Sequence, residues 1–332
     1  MLPRFSPAAD DAEKKRAGAV ARAARLLSRR VSSSSPRVRS RVLGALLLAA
    51  LLAALLLGAE ALDAVRLRRS AVALPGGQAV PLLIVVPKGG RELLARTLTT
   101  LQRVDGIRGA PLVFALASGD KETAAQVAAV RWAATVVLPA ALSPLAALWG
   151  VRSPGGATRR LLRFAFEVAG RSAAVILPAG LELSQDALDY YSWALTAVAA
   201  SPSLATSTVA VNGFYDRGKP FGGDERYTLA SRQAGLTPWG CALLRRHWPA
   251  VRAAWPWRGE GWEAAVASAV SAAGLGALTP RISRVRFTGV TVTGEDFQSY
   301  SEEEQRVMTE LYIPDHPIVY GSEHPLILVE RH

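Results

Sequence analysis

The sequence predicts an α/β fold with a mostly parallel sheet, preceded by one membrane-spanning helix. Short apolar runs alternate with segments of helical leucine or alanine spacing from residue 81 onward, and Val42 to Ala59 carries no charge at all. Half of the 332 residues are apolar and only 20% are charged, so the chain can bury a large core.

Charge is concentrated at the amino terminus. Residues 1–41 hold eleven Lys and Arg against three acids, most of the excess behind a net charge of +12. A nucleic-acid-binding protein would place that charge on its folded face, with aromatics for stacking, so this class is excluded. The polar run Ser32 to Ser35 followed by Pro36 reads as a flexible break, and the tail before the span is expected to be disordered.

As a helix, the uncharged run Val42 to Ala59 would reach about 27 Å, close to the hydrocarbon thickness of a bilayer. Arg41 and Glu60 bracket it sharply. The basic excess ahead of the run, against Arg66, Arg68 and Arg69 behind it, predicts a cytoplasmic amino terminus and a lumenal body. Two alternatives stay open. Ala59-Glu60-Ala61 has the small residues of a signal-peptide cleavage site, and Lys14 to Arg41 has the Arg- and Ser-rich, acid-poor composition of an organelle transit peptide.

Pro81 to Val86 reads as a strand, stopped by Pro87-Lys88-Gly89-Gly90 ahead of a helix from Arg91 to Gln102. Pro111 to Leu116 is the second strand, with a helix from Lys121 to Arg131. Thr135 to Leu138 is the third, and Ala173 to Leu177 the fourth, after a helix from Thr158 to Ala169. Ligands of such sheets sit beyond the carboxyl ends of the strands. The lone Cys241 excludes an intramolecular disulfide framework and a Cys-rich zinc module. His247, His316, His324 and His332 show no metal spacing, and no G-x-S-x-G marks a hydrolase nucleophile.

The order of these segments resembles N-acetylglucosaminyltransferase I and the related protein O-mannose N-acetylglucosaminyltransferase. The likeness is carried by Pro81 to Val86, by Leu112-Val113-Phe114 with Gly119 to Ala124, and by Ala174 to Leu177 ahead of Leu181-Glu182-Leu183. It continues through Ser201 to Leu204, Val211 to Lys219, Gly235 to Leu244, Trp248, Trp255-Pro256, Trp262 and Pro280 to Arg284. The resemblance implies a GT-A-type, Rossmann-like nucleotide-sugar fold in a single-pass type II Golgi membrane protein. It would transfer N-acetylglucosamine from UDP-N-acetylglucosamine to mannose of a protein-linked glycan, with inversion. Together with the charge and hydropathy pattern it gives five expected segments: a basic cytoplasmic tail (1–41), a signal anchor (42–62), a stem (63–77), the GT-A-like domain (78–300) and a carboxyl-terminal extension packing on it (301–332).

The family's chemistry uses manganese to neutralise the diphosphate and a carboxylate base to take the acceptor proton. Its metal-binding Glu-Asp-Asp precedes Leu-Glu, and here Pro178, Ala179 and Gly180 precede Leu181-Glu182, so the usual metal site is expected to be lost. Ala117 stands where the family places an acid that binds uracil, and Lys88 stands near its arginine. The family's Asp-Asp-Trp aligns with Glu260-Gly261-Trp262, which leaves Glu260 as a substitute base or as a surface residue of a Gly-rich loop. Val290 and Thr291 correspond to the loop that closes over the nucleotide sugar, or form part of a hairpin.

Lys88, Glu182, Asn212, Asp216, Arg217, Val290 and Thr291 are the candidate nucleotide-sugar contacts. Plainer readings stand beside them. Lys88 is a solvated turn lysine, Asn212-Gly213 a turn, and Asp216 and Arg217 a surface pair, while the tryptophans at 239, 248, 255, 257 and 262 either stack on sugar faces or are core residues. Two functions follow: a transferase that works through a rewired, metal-independent site or on a different donor, or an inactive relative that binds a glycan, a nucleotide or a partner transferase, or regulates an active one.

Overall fold

A computed structural model describes residues 36–71, 79–116, 120–138, 153–214, 228–232, 237, 240–256, 261–280, 283–287 and 327–330. The chain divides into two units, Met1–Leu62 and Asp63–His332.

The first described element is α1 (Pro36–Ala71), opened by a proline whose fixed φ suits a first helical position. Leu43, Leu46, Leu47, Leu48, Leu51 and Leu55 are all exposed around it. Among the described residues no helix is long and apolar enough to cross a membrane. The side chains at positions 49, 52, 53, 56, 57 and 59 of the uncharged run lie outside the description, so the span expected at 42–62 rests on the sequence.

Residues 63–71, in the segment expected as a stem, are the last turns of α1 and pack on the body. Leu67 is fully buried in a cluster with Leu83, Val85, Leu161 and Phe164. Asp63 accepts from both Nε (3.1 and 3.2 Å) and Nη2 of Arg160.

Among the described residues the body is built on a nine-stranded mixed sheet. In chain order its elements are β1 (Leu82–Val86), α2 (Arg91–Leu101), β2 (Leu112–Leu116), α3 (Lys121–Ala128), β3 (Thr135–Leu138), α4 (Pro154–Arg163) and β4 (Ala173–Pro178). After β5 (Leu181–Leu183) come α5 (Ala187–Ala200), α6 (Pro202–Ser207), β6 (Thr208–Asn212), β7 (Thr228–Arg232) and β8 (Cys241–Leu244). The series ends with α7 (Trp248–Ala254), α8 (Trp262–Ala272), β9 (Gly276–Pro280), β10 (Val285–Phe287) and β11 (Ile327–Glu330). The strand order is β11-β7-β9-β6-β8-β4-β1-β2-β3, and a separate ribbon pairs β5 with β10. β3, β2, β1 and β4 run parallel, and β8 enters antiparallel between β4 and β6.

All five residues of β1 are buried, as expected of a central parallel strand covered on both faces. Its alternation splits the core: Leu82, Ile84 and Val86 join Leu94, Leu98 and Tyr190 on one face, while Leu83 and Val85 meet Phe164, Trp248 and Trp262 on the other. α4 is capped by Ser153, whose hydroxyl accepts from the Gly156 N–H, and it continues into a π turn over Phe164–Val168. The Trp255 and Trp262 rings stack at 4.3 Å with planes 7° apart, and Trp248 meets Trp255 edge-on. These three tryptophans are core residues; 239 and 257 lie outside the described residues.

Candidate functional site

The chain moves outward in opposite directions from β1, to β2 and β3 on one side and to β4 on the other. The crevice at such a reversal, beyond the carboxyl ends of the strands, is where this architecture binds ligands. Pro87 to Gly90 follows β1 there, and Pro178 to Gly180 follows β4.

Gly180 has φ +102°, a conformation that L side chains rarely adopt. Its N–H donates to Thr97 Oγ1 at 2.9 Å, and the Thr97 hydroxyl donates to the Leu181 carbonyl at 2.9 Å. A Cβ at this position would stand 3.2 Å from Leu93 Cδ2. The turn is therefore folded against α2, with Ala179 and Gly180 both buried. These residues do not fit a manganese ion. None has a side-chain oxygen, and an aspartate at 180 would meet both the positive φ and Leu93.

Past the turn, Glu182 lies opposite Arg286 in the antiparallel register of β5 and β10. Arg286 Nε donates to Glu182 Oε2 at 2.6 Å, with the two side chains 33% and 16% exposed. Two residues earlier, Arg284 Nε donates to Asp186 Oδ2 at 2.9 Å, and this pair is only 2% and 5% exposed. Ser184 Oγ donates to the other Asp186 oxygen at 2.6 Å, and the Arg284 guanidinium lies 5.3 Å from the centre of the Tyr190 ring. Buried charge is tolerated when paired and hydrogen-bonded in this way.

The ends of β6 and β8 meet this cluster at close quarters. Tyr190 donates to the Asn212 carbonyl at 2.7 Å, Tyr191 donates to the Gly240 carbonyl, and the Gly213 N–H also donates to Gly240 at 2.7 Å. Burial raises the Tyr191 hydroxyl well above its ordinary pKa. A Cβ on Gly213 would stand 2.1 Å from Tyr191 Oη and 2.7 Å from Val285 Cγ2, so only glycine fits. Asn212 is fully buried; its amide donates to Thr279 Oγ1 at 3.1 Å and its Oδ1 accepts from the Thr237 N–H at 3.4 Å.

Lys88 is exposed in the turn after β1, where Gly90 N–H donates to the Pro87 carbonyl. Asp120, near the end of β2, caps α3. The Thr123 hydroxyl and N–H donate to its two oxygens at 2.7 and 3.0 Å, and these bonds hold its carboxyl below the ordinary value of 3.8. Ala117, Asp216, Arg217, Glu260, Val290 and Thr291 lie outside the described residues. The stacked Trp255 and Trp262 bring the two ends of the Glu260 segment together. Topology puts that junction at the same carboxyl edge, because α7 follows the antiparallel β8 and α8 precedes β9, which runs parallel to β6.

The structure thus brings Glu182, Arg286 and the Gly180 turn together in one ribbon, with Asn212 and Lys88 at the same edge. Thr97, Asp186 and Arg284 were missed in the sequence. Nothing local distinguishes Arg284 from Arg286, and Thr97 is one of three threonines in an otherwise ordinary helix. Among the described residues no group of three or more His, Cys, Asp or Glu side chains is arranged to hold a metal ion.

No protein-family model matches the chain, and no curated protein matches it. Among solved structures it is similar to TarS residues 1–349 of S. aureus, with 11% identity over 60% of this chain and 58% of that one, at a TM-score of 0.41. It is also similar to the mannosyltransferase PcManGT of Pyrobaculum calidifontis, in complex with GDP-Man and Mn2+, with 20% identity over 70% and 65% of the two chains at a TM-score of 0.39. The chain spans less than two thirds of either. The resemblance to N-acetylglucosaminyltransferase I has no family-level match behind it.

Proposed function

We propose that the chain is a membrane-anchored protein of the GT-A glycosyltransferase type that binds a nucleotide sugar, UDP-N-acetylglucosamine in the first instance, without the manganese-dependent transfer chemistry of the family it resembles. The observation that carries this reading is the Gly180 turn. By the resemblance it corresponds to the family's metal-binding acids, yet it has no ligand atom in its side chains and is closed by Leu93 and Thr97. Losing the metal and the base together costs many orders of magnitude in rate, because each ordinarily contributes several kcal/mol to the transition state. The role left is recognition: of a nucleotide, of a glycan or glycoprotein, or of a partner transferase. The uncharged run at 42–59 and the leucines exposed around α1 support a type II anchor in the Golgi or another organelle membrane.

The test is calorimetric titration of the full-length chain, in lipid nanodiscs, with UDP-N-acetylglucosamine in EDTA and in manganese, alongside a UDP-release assay with mannose-terminated glycan. Binding in EDTA without turnover is expected. Binding only with manganese, or no binding by a folded sample, overturns the reading. A second reading is favoured by the junction of Trp255 and Trp262 at the carboxyl edge, since these two residues flank Glu260 in the chain. In that reading the protein is an active inverting transferase with Glu260 as base. UDP release that is abolished by Glu260→Gln, with binding intact, would establish it.

A further inference from the structure

A diphosphate needs positive charge, and the Gly180 turn offers no carboxylate with which to recruit a cation. The β5–β10 ribbon that leads out of the turn carries two arginines of different standing. Arg284 is 2% exposed, its guanidinium engaged by Asp186 and covering Tyr190, so it is part of the interior. Arg286 is a third exposed, on the opposite side of the strand from Val285, which is buried against Gly213 and Gly240. Its Nε is held by Glu182 from the facing strand, at a register position two residues from Gly180.

We propose that Arg286 is an anion-binding residue that takes the diphosphate of the nucleotide, and that Glu182 is its internal counter-ion, exchanged for phosphate oxygens on binding. This rests on the nucleotide-binding reading above and deepens it: the ligand class is a nucleoside diphosphate, and its charge is met by a guanidinium. A planar guanidinium with five donors suits this exchange, because it can pair with carboxylate or phosphate oxygens through two parallel hydrogen bonds. In the absence of ligand, Glu182 holds the guanidinium in place at the ribbon surface and limits its capture of unrelated anions.

The two partners of the pair give opposite expectations, which a merely structural ion pair would not. UDP and uridine are titrated into the full-length chain in EDTA, with thermal unfolding of each variant measured alongside. Arg286→Ala is expected to weaken UDP binding roughly tenfold or more and to leave uridine binding unchanged, with Arg286→Lys intermediate because it keeps charge and loses the fork. The near-isosteric Glu182→Gln, which removes the negative charge facing the guanidinium, is expected to tighten UDP binding a few-fold. Unchanged UDP affinity in Arg286→Ala, weakening in both Arg286→Ala and Glu182→Gln, or UDP binding by the wild type only with manganese overturns the proposal. If the folded wild type binds neither UDP nor uridine, the nucleotide reading falls and takes this proposal with it. Wild-type binding in EDTA with indifferent variants sinks the Arg286 assignment alone.

Discussion

Arg284 and Arg286 are two residues apart, and each donates from its Nε to a carboxylate, yet one is buried and the other meets solvent. The Arg284–Asp186 pair is sealed among Tyr190, Ser184 and the crossing at Gly213, while Arg286–Glu182 meets solvent. Removing one partner of a sealed pair strands an uncompensated charge, whereas an exposed pair is screened and contributes little. The contrast separates a charge that builds the edge from one that can be exchanged at it.

The largest effect expected is that of Arg284→Ala, which leaves the Asp186 carboxylate buried without its cation and should cost about 3–5 kcal/mol in denaturant unfolding. The double variant Arg284→Met, Asp186→Leu should recover most of that loss; equal destabilisation by Arg286→Ala would erase the distinction. Next is Gly213→Ala, whose methyl would collide with Tyr191 Oη, Val285 and the Gly240 carbonyl, for a loss of about 1–3 kcal/mol. Gly180→Asp, which puts an acid back at the turn, should cost about 1–3 kcal/mol through its positive φ and Leu93, and isothermal titration should show no gain in manganese binding.

The smallest effects are those of pH. Burial first, then the carboxylates of Asp105 and Asp186, raise the Asp189 carboxyl above its ordinary value. Its ionised form therefore costs stability above the raised pKa, and the cost is relieved as pH falls through it. Asp189→Asn should raise the urea midpoint near pH 7 and lose that advantage by about pH 3. Asp120 has the opposite sign. Its depressed pKa stabilises α3 above 3.8, and the contribution disappears only as pH falls through the lower folded value. Asp120→Ala should thus lower the midpoint near neutrality and flatten its fall in acid.

The parallel half of the sheet was legible. β1, β2 and β4 fall within one residue of their expected bounds and β3 matches them, because Val- and Leu-rich runs ended by Pro, Gly or Asp leave little choice. The helix expected from Lys121 to Arg131 ends instead at Ala128, and the one expected from Thr158 begins at Pro154, where Ser153 caps it. The π turn at Phe164–Val168 has no sequence signature, since it follows from how Phe164 and Phe166 enter the core. At the site, the missing acids at 178–180 were plain from the sequence. The closure of the turn was not, because it depends on Thr97 and Leu93, more than 80 residues away in the chain. Glu182 appeared as a contact, but its partner Arg286 emerges only from the register of β10.

The buried Leu67 and the Asp63–Arg160 pair bear on how far the chain ahead of the sheet can be trimmed. A form clipped after Ala71 would leave a leucine-sized hole among Leu83, Val85 and Phe164 and would take the Asp63 carboxylate away from the buried Arg160 guanidinium. Proteolytic trimming that respects the fold has to cut ahead of Asp63, because residues 63–71 belong to the folded body although they continue a helix that begins well before it.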